Sequence, residues 1–324
     1  MAASEPTAAM PPMMYGTAWK KERTADLVYE AIKAGFRGID TAAMKKHYDE
    51  ALTGEGIRRA IREGLVSRKD LFIQTKFTPL DLTSPHNPSD PIPTQIHTSI
   101  RSSLTNLSPR SSSSSSTPEE EEYIDALILH SPFPSIPQTL EALAALQSYL
   151  PSSPDPARRG KVRRLGISNV PSLAVLQILE SQLPGAVTIV QNRFRAAERS
   201  WDREIRAWCR AAREREREGG GAQGVVYQGF WTLTGNISTW QQQQQQQGGG
   251  FVAELARGAG VELAEAWYAL VMEAGVVVLN GTGDRDHMRG DLAVRGRMAE
   301  WRATEEGSRV WERCWGAFKQ LIDG

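Results

Sequence analysis

Eight short runs rich in β-branched and apolar residues, separated by stretches of helical period, limit the folds open to this chain more than any other feature. They lie at 13–19 (MMYGTAW), 37–42 (RGIDTA), 71–77 (LFIQTKF), 123–130 (YIDALILH), 162–169 (VRRLGISN), 186–192 (AVTIVQN), 224–230 (GVVYQGF) and 275–281 (GVVVLNG). Several are apolar almost throughout, as strands buried on both faces are, rather than alternating between core and water. Strands of that kind joined by helices pair in parallel. Eight such units in 324 residues predict an α/β fold, a (β/α)8 barrel forming one domain over 1–324, with its core at about 13–292.

The intervening segments fit that plan. A helix is expected from Thr24, an N-cap candidate, to Gly35, a C-terminal stop. Helical spacing recurs at 50–64, 92–107, 137–149, 171–182 and 198–217, with one or two helices over 251–273. At the end, 305–322 predicts an outer helix, with Val310, Trp311, Trp315, Phe318 and Leu321 at helical intervals. Four stretches fall outside the plan, at 108–120 (serine and glutamate runs), 151–160, 213–223 (REREREGGG) and 239–250 (a glutamine run). Their compositions bury too little apolar surface to offset ordering, which predicts flexible loop expansions.

Composition narrows the function. Thirty-eight Lys and Arg balance 38 Asp and Glu, so no global field favours a nucleic acid or an anionic membrane, and a small substrate fits better. Cys209 and Cys314 stand far apart outside any CxxC pairing, which argues against a disulfide framework and a thiolate metal site. No charged-then-apolar leader opens the chain and nowhere do 18 apolar residues run together, so a cytoplasmic protein is expected, with a monomer favoured over an oligomer. His47, His86, His97, His130 and His287 do not form the paired strand-end ligands of a metal-dependent hydrolase, and no metal is expected.

In a barrel of this kind the reactive groups sit at the C-terminal ends of the strands. Asp40 ends one run, Tyr48 follows in the next loop, Lys76 closes the third run and His130 the fourth. Singly, each is ordinary: a turn residue, a packing tyrosine, a solvated lysine, a rim histidine. Together they suit protonation of a carbonyl oxygen as hydride reaches its carbon. A tyrosine hydroxyl titrates near ~10 in water, and a neighbouring Lys76 ammonium would make it a better acid. Asp40 would hold that lysine by an ion pair, and His130 could orient the carbonyl.

The segments GFRGIDTA, HYDEALTGEGIRRAI, LFIQTK, LILHSP, LGISNV, VQNRF and VVYQG resemble, in this order over about 13–292, the successive signatures of the aldo-keto reductase family. That resemblance implies a TIM barrel and NAD(P)H-dependent reduction of a carbonyl compound, with Asp40, Tyr48, Lys76 and His130 as the catalytic tetrad. It implies that Ser168, Asn169 and Gln191 grip the nicotinamide carboxamide and that Tyr227 stacks on the ring. Thr17, Asp40, Asn280, Thr282, Arg285 and His287 complete the implied cofactor set, and NADP(H) is the implied cofactor, with NAD(H) also open. A substrate would meet Trp19, Tyr48, His130 and Trp231. Trp19, Phe77, Phe133, Trp231 and Trp240 all lie at or beyond strand ends and would suit an apolar aldehyde. The alternative of another class is a nucleotide-binding regulatory barrel with little turnover, since fold alone does not fix activity.

Two departures from the family pattern bear on these expectations. The Asp-to-Tyr interval, DTAAMKKHYDE, is longer than usual, so Tyr48 reaches the site only if its loop bulges, and His47 is the competing residue there. At the eighth strand Asn280 stands where the family carries a lysine for the adenosine 2'-phosphate, leaving Arg285 and His287 near the arginine's place.

Overall fold

A strand buried on both faces needs a hydrogen-bonding neighbour on each edge, and closing the sheet provides this for every strand at once. The computed structural model describes residues 9–109, 122–219, 224–245 and 249–324. In it β1 (Met13–Gly16), β2 (Gly38–Asp40), β3 (Phe72–Phe77), β4 (Ile124–Leu129), β5 (Val162–Ser168), β6 (Ile189–Arg193), β7 (Val226–Phe230) and β8 (Val277–Asn280) pair in sequence order, and β8 returns to β1. Every pairing is parallel. Each strand lies on its expected run, and β6 continues one residue beyond it, to Arg193.

Alternation along the strands divides the core in two. Met14, Phe72, Ala126, Ile128, Ile189 and Val277 fill the barrel interior, with Met10 and Val226 against them. Their neighbours Tyr15, Ile73, Leu127, Val190 and Val278 face outward into the layer shared with the helices. That layer is formed by α1 (Thr24–Ala34), α2 (Glu50–Arg62), α3 (Ile92–Leu107), α4 (Ile136–Gln147), α5 (Leu173–Gln182), α6 (Arg199–Arg217), α7 (Ile237–Gln244), α8 (Gly250–Ala259), α9 (Leu263–Glu273), α10 (Arg285–Arg302) and α11 (Glu305–Asp323).

Several boundaries differ from the sequence expectation for identifiable reasons. Thr24 is not the cap of α1: a 3-10 turn at Lys21–Arg23 precedes the helix, and the Thr24 hydroxyl donates back to the Lys21 carbonyl at 2.6 Å. Gly35 does end α1, with φ of 118°. Residues 251–273 form two helices because Gly260 breaks them at φ 64°. The helix α10 was not expected; it is anchored by Met288, Asp291, Val294 and Met298, three or four residues apart on one buried stripe.

Three of the supposed loop expansions are ordered where the structure describes them. Residues 213–217 continue α6, because alternating Arg and Glu are good helix formers regardless of net polarity. Residues 239–244 fall within α7, where Trp240 meets Trp267 edge-on at 5.8 Å. Residues 151–160 are a tied turn in which Arg159 Nε donates to the carbonyl of the buried Ser153 at 2.7 Å. Residues 110–121, 220–223 and 246–248 lie outside the described residues, and the expectation of loops there falls on them. Among the described residues no helix is long and apolar enough to cross a membrane, and no group of three or more His, Cys, Asp or Glu side chains could hold a metal ion.

Candidate active site

Asp40 is the last residue of β2, Lys76 lies one from the end of β3 and His130 directly follows β4, so strand ends bring three of the four expected groups to one mouth. Tyr48 has to come from the loop ahead of α2. The Met44 carbonyl accepts from both His47 N (3.2 Å) and Tyr48 N (3.0 Å), so one tight turn absorbs the extra residues. Lys46 N donates to Thr83 Oγ1 at 3.1 Å, tying that turn to the loop after β3. Asp49 then caps α2 by accepting from Leu52 N at 2.9 Å, and the helix starts at once. The bulge therefore forms, and the Tyr48 ring lies over Lys76, with Nζ 5.0 Å from its centroid. His130 meets the Tyr48 ring edge-on at 6.0 Å. His47 stacks instead on Trp19 at 3.8 Å.

Lys76 Nζ donates to Asp40 Oδ2 at 2.6 Å and to the Thr41 carbonyl at 2.8 Å, and the paired side chains are 1% and 3% exposed. A buried ion pair survives only where its remaining lone pairs are satisfied. Asp40 Oδ1 accepts from Gln74 Nε2 (2.7 Å) and Gln191 Nε2 (3.2 Å), and both amides also donate to Gln228 Oε1, at 2.9 and 2.8 Å. Beneath the pair, three glutamines thus form a bonded layer across the barrel. Gln74 and Gln228 escaped the sequence reading; the signal was their two-residue offset from Lys76 and Phe230 on the same strand faces.

Burial raises the Tyr48 hydroxyl above its ordinary value of 10.0, the Lys76 ammonium pulls it partly back and Asp40 adds a smaller push upward. Lys76 thus acts in the expected direction, but desolvation outweighs it, and Tyr48 stays protonated around neutral pH. His130 is pushed down to about 3, first by burial and then by the charge of Lys76, so its imidazole is neutral. Thr78 Oγ1 and His130 Nδ1 are 2.8 Å apart; with the hydroxyl donating, the ring proton sits on Nε2.

Among the residues expected around a nicotinamide, Ser168 and Asn169 close β5 beside this cluster. Ser168 Oγ donates to the Gln191 carbonyl at 2.7 Å, and Asn169 Nδ2 donates to the His130 carbonyl at 2.8 Å. Thr17 is buried after β1, its hydroxyl donating to the Asp40 carbonyl at 3.2 Å. Tyr227 does not join them. Gln228 faces inward, so its neighbour Tyr227 faces out, where its hydroxyl donates to Asp202 Oδ2 of α6 at 3.1 Å. The half-buried Phe230, two residues beyond Gln228, is the aromatic at the mouth of β7, edge-on to Trp231 at 6.2 Å.

Asn280 is likewise corrected. It faces α10, where its Nδ2 donates to Asp291 Oδ2 at 2.7 Å, and it is 1% exposed. Its Oδ1 accepts from Thr282 N at 2.9 Å, so it shapes the turn instead of reaching a ligand. Thr282 Oγ1 in turn accepts from Asp284 N at 3.2 Å. Asp284 caps α10 through Asp286 N and His287 N, and these amides hold its carboxyl below the usual range. Arg285 is exposed and paired with Glu30 at 2.7 Å, and His287 is exposed beside it.

Burial raises the Asp291 carboxyl to about 6, with the Asn280 hydrogen bond opposing the shift. Because the folded value lies above that of an unfolded aspartate, the native state binds more protons between about pH 4 and 6, and stability falls as pH rises through that window. Asp291→Asn should flatten this part of a urea-unfolding series. An unchanged slope would assign the pH dependence to other groups.

Of the two expected substrate tryptophans, Trp19 is 64% and Trp231 47% exposed, both on loops that follow strands at the mouth. Phe77 and Phe133 stack on each other at 6.4 Å and are buried, and Trp240 packs on Trp267, so these three do not line the mouth.

Residues 12–296 match the model of the Aldo/keto reductase family. The chain is 25% identical over 295 residues to the NAD(P)H-dependent 6'-deoxychalcone synthase of Glycine max, covering 88% of this chain and 80% of that one. It is 55% identical over 58 residues to the NAD(P)H-dependent D-xylose reductase of Pachysolen tannophilus, a match spanning 18% of each protein. The crystal structure of a Bombyx mori aldo-keto reductase in complex with NADP superposes with a TM-score of 0.65 at 19% identity, covering 95% of this chain and 97% of that one. With a closed parallel barrel, a buried Asp–Lys pair under a tyrosine and a family match over nearly its whole length, the chain belongs to the aldo-keto reductase family.

Proposed function

We propose that this protein reduces an aldehyde or ketone to an alcohol, using NADPH or NADH, with Tyr48 as the proton donor. The observation that carries this reading is the Tyr48 ring held over the buried Lys76–Asp40 pair, with a neutral His130 edge-on to the same ring. A bound reduced nicotinamide supplies a hydride to the carbonyl carbon. As the carbonyl π bond breaks, its oxygen takes the Tyr48 proton, and the Lys76 ammonium stabilises the negative charge that passes to the phenol oxygen. An elevated tyrosine pKa is compatible with this, because the acceptor is a developing alkoxide, a far stronger base than a phenolate. The neutral His130, with its proton on Nε2, donates a hydrogen bond that orients the carbonyl oxygen without competing for the tyrosine's proton.

Ser168 and Asn169 are proposed to hold the carboxamide, for which they offer both donor and acceptor atoms. Thr17 borders the same space. Thr282 and the turn around it are proposed to meet the phosphates: a side chain built on Gly281 or Gly283 would meet nothing within 4 Å, so that backbone is open to close approach. The test is oxidation of NADPH, followed by absorbance, across a panel of activated aldehydes. Nucleotide binding without turnover would favour the regulatory barrel instead.

Cofactor preference gives a further expectation. Arg285 is the nearest guanidinium to the open turn but already pairs with Glu30, and the Asp284 carboxylate occupies the first amides of α10. NADPH should therefore be preferred by a modest margin. Arg285→Ala should weaken NADPH binding about 10-fold, the low end for a charge-assisted hydrogen bond, and leave NADH nearly unaffected. Fluorescence titration with both nucleotides checks this, and equal losses would remove Arg285 from the phosphate site.

A further inference from the structure

Arg193 ends β6 on the same face as Ile189 and Gln191, so its side chain rises at the mouth of the barrel. Its Nη1 donates to Asn169 Oδ1 at 3.1 Å, and its guanidinium carbon lies 5.4 Å from the Phe230 ring centroid and 5.0 Å from that of Trp231. Asn169 bonds the His130 carbonyl, so a single residue separates this guanidinium from the histidine proposed to orient the substrate.

The charges around it are otherwise balanced. Lys76 is paired with Asp40, and Arg195, which lies against the same indole at 5.4 Å, is paired with Glu198 at 2.7 Å. His130 is neutral. Arg193 has no carboxylate partner among the described residues, and its buried Nε has no hydrogen-bond partner there. A planar guanidinium held between two rings and an amide has lost most of its rotamer freedom before any ligand arrives, and its remaining donors match a planar anion. Trp231, against this guanidinium, is 47% exposed, and the loops after β1 and β3 at the same end of the barrel expose Trp19, Leu80 and Leu82, so apolar side chains are available to a substrate at the mouth.

We propose that Arg193 reads a carboxylate on the substrate, so that the preferred substrates are apolar aldehydes or ketones bearing a carboxylate a few bonds from the carbonyl. This rests on the reductase reading above. A phosphate of the nucleotide is the less favoured anion, because the open glycine turn and Arg285 lie beyond β8, separated from β6 by β7.

The experiment compares para-carboxybenzaldehyde with its methyl ester, which differ in charge; the ester's carbonyl is intrinsically the more electrophilic, a difference that cancels when the acid-to-ester ratio is compared between variants. The wild-type protein should favour the acid in kcat/KM, and Arg193→Met should lower the acid-to-ester ratio about 10- to 100-fold, the range of a charge-assisted hydrogen bond. Arg193→Gln gives the same reading should the methionine variant not fold, and Arg193→Lys should fall between because it keeps the charge and loses the fork. No preference for the acid, an unchanged ratio in the variants, or weaker NADPH binding at an unchanged ratio would overturn the proposal. Binding of para-(hydroxymethyl)benzoate, measured by calorimetry, separates the two readings. If neither aldehyde is reduced but this carboxylate binds the wild type and not Arg193→Met, the reductase reading fails and the anion site stands.

Discussion

Tyr48→Phe should lower turnover of an activated aldehyde by at least about 10²-fold, the smaller end of what a positioned general acid contributes. The change removes one hydroxyl, and among the described residues that hydroxyl makes no hydrogen bond, so the ring should keep its place over Lys76 and folding should be undisturbed. Nucleotide affinity, read by fluorescence titration, should stay near that of the parent. The loss should fall on kcat as well as on kcat/KM, because the proton is needed only as the transition state forms. A variant that keeps most of its turnover would move proton donation away from Tyr48, with His47 the nearest alternative in the same loop.

Lys76→Met should be damaging in a second way. It leaves the Asp40 carboxylate buried, held only by the amides of Gln74 and Gln191. Removing one partner of a buried pair costs about 3–5 kcal/mol, because the surviving charge keeps its desolvation penalty and loses its compensation. Urea unfolding should register that loss, and turnover should fall as well, since nothing then stabilises the developing phenolate. Adding Asp40→Asn removes the stranded charge, so the double variant should regain most of the stability and little of the activity. A double variant as unstable as the single one would mean that the methylene packing of Lys76, rather than charge, is what matters at that position.

The barrel was legible because its strands are apolar on both faces, a pattern few other folds require, and the clustering of Asp40, Lys76, His130 and Tyr48 because they close those strands or, for Tyr48, lead into a helix with a clear cap. What escaped the reading depended on orientation or on long-range packing. Tyr227 and Gln228 are adjacent, and local sequence does not say which faces the axis; the pairing of Gln228 with Gln191 decides it, and a register shift of one residue would have reversed the outcome. Asn280 falls to the same alternation, since Tyr15, its partner on β1, also faces outward. The helix α10 carries many charges, two glycines and only a narrow buried stripe, so its periodicity was too faint to detect alone. In α7 the glutamines say little by themselves, and helix there is supported by Trp240 against Trp267, a contact across 27 residues that composition cannot reveal.

The glutamine layer beneath Asp40 also governs where protons can travel. Gln74, Gln191 and Gln228 do not ionise, and below them the axis is filled by Met10, Met14, Phe72, Ile128 and Ile189. Neither amides nor hydrocarbon make a conducting path, so the barrel is sealed to protons from its lower end. Once Tyr48 has given up its proton, the replacement must enter from the mouth, the side on which substrate and nucleotide are proposed to sit. Recharging the acid is then tied to uncovering the site, so the slowest stage of the cycle should carry a solvent isotope effect whenever departure of the alcohol limits turnover.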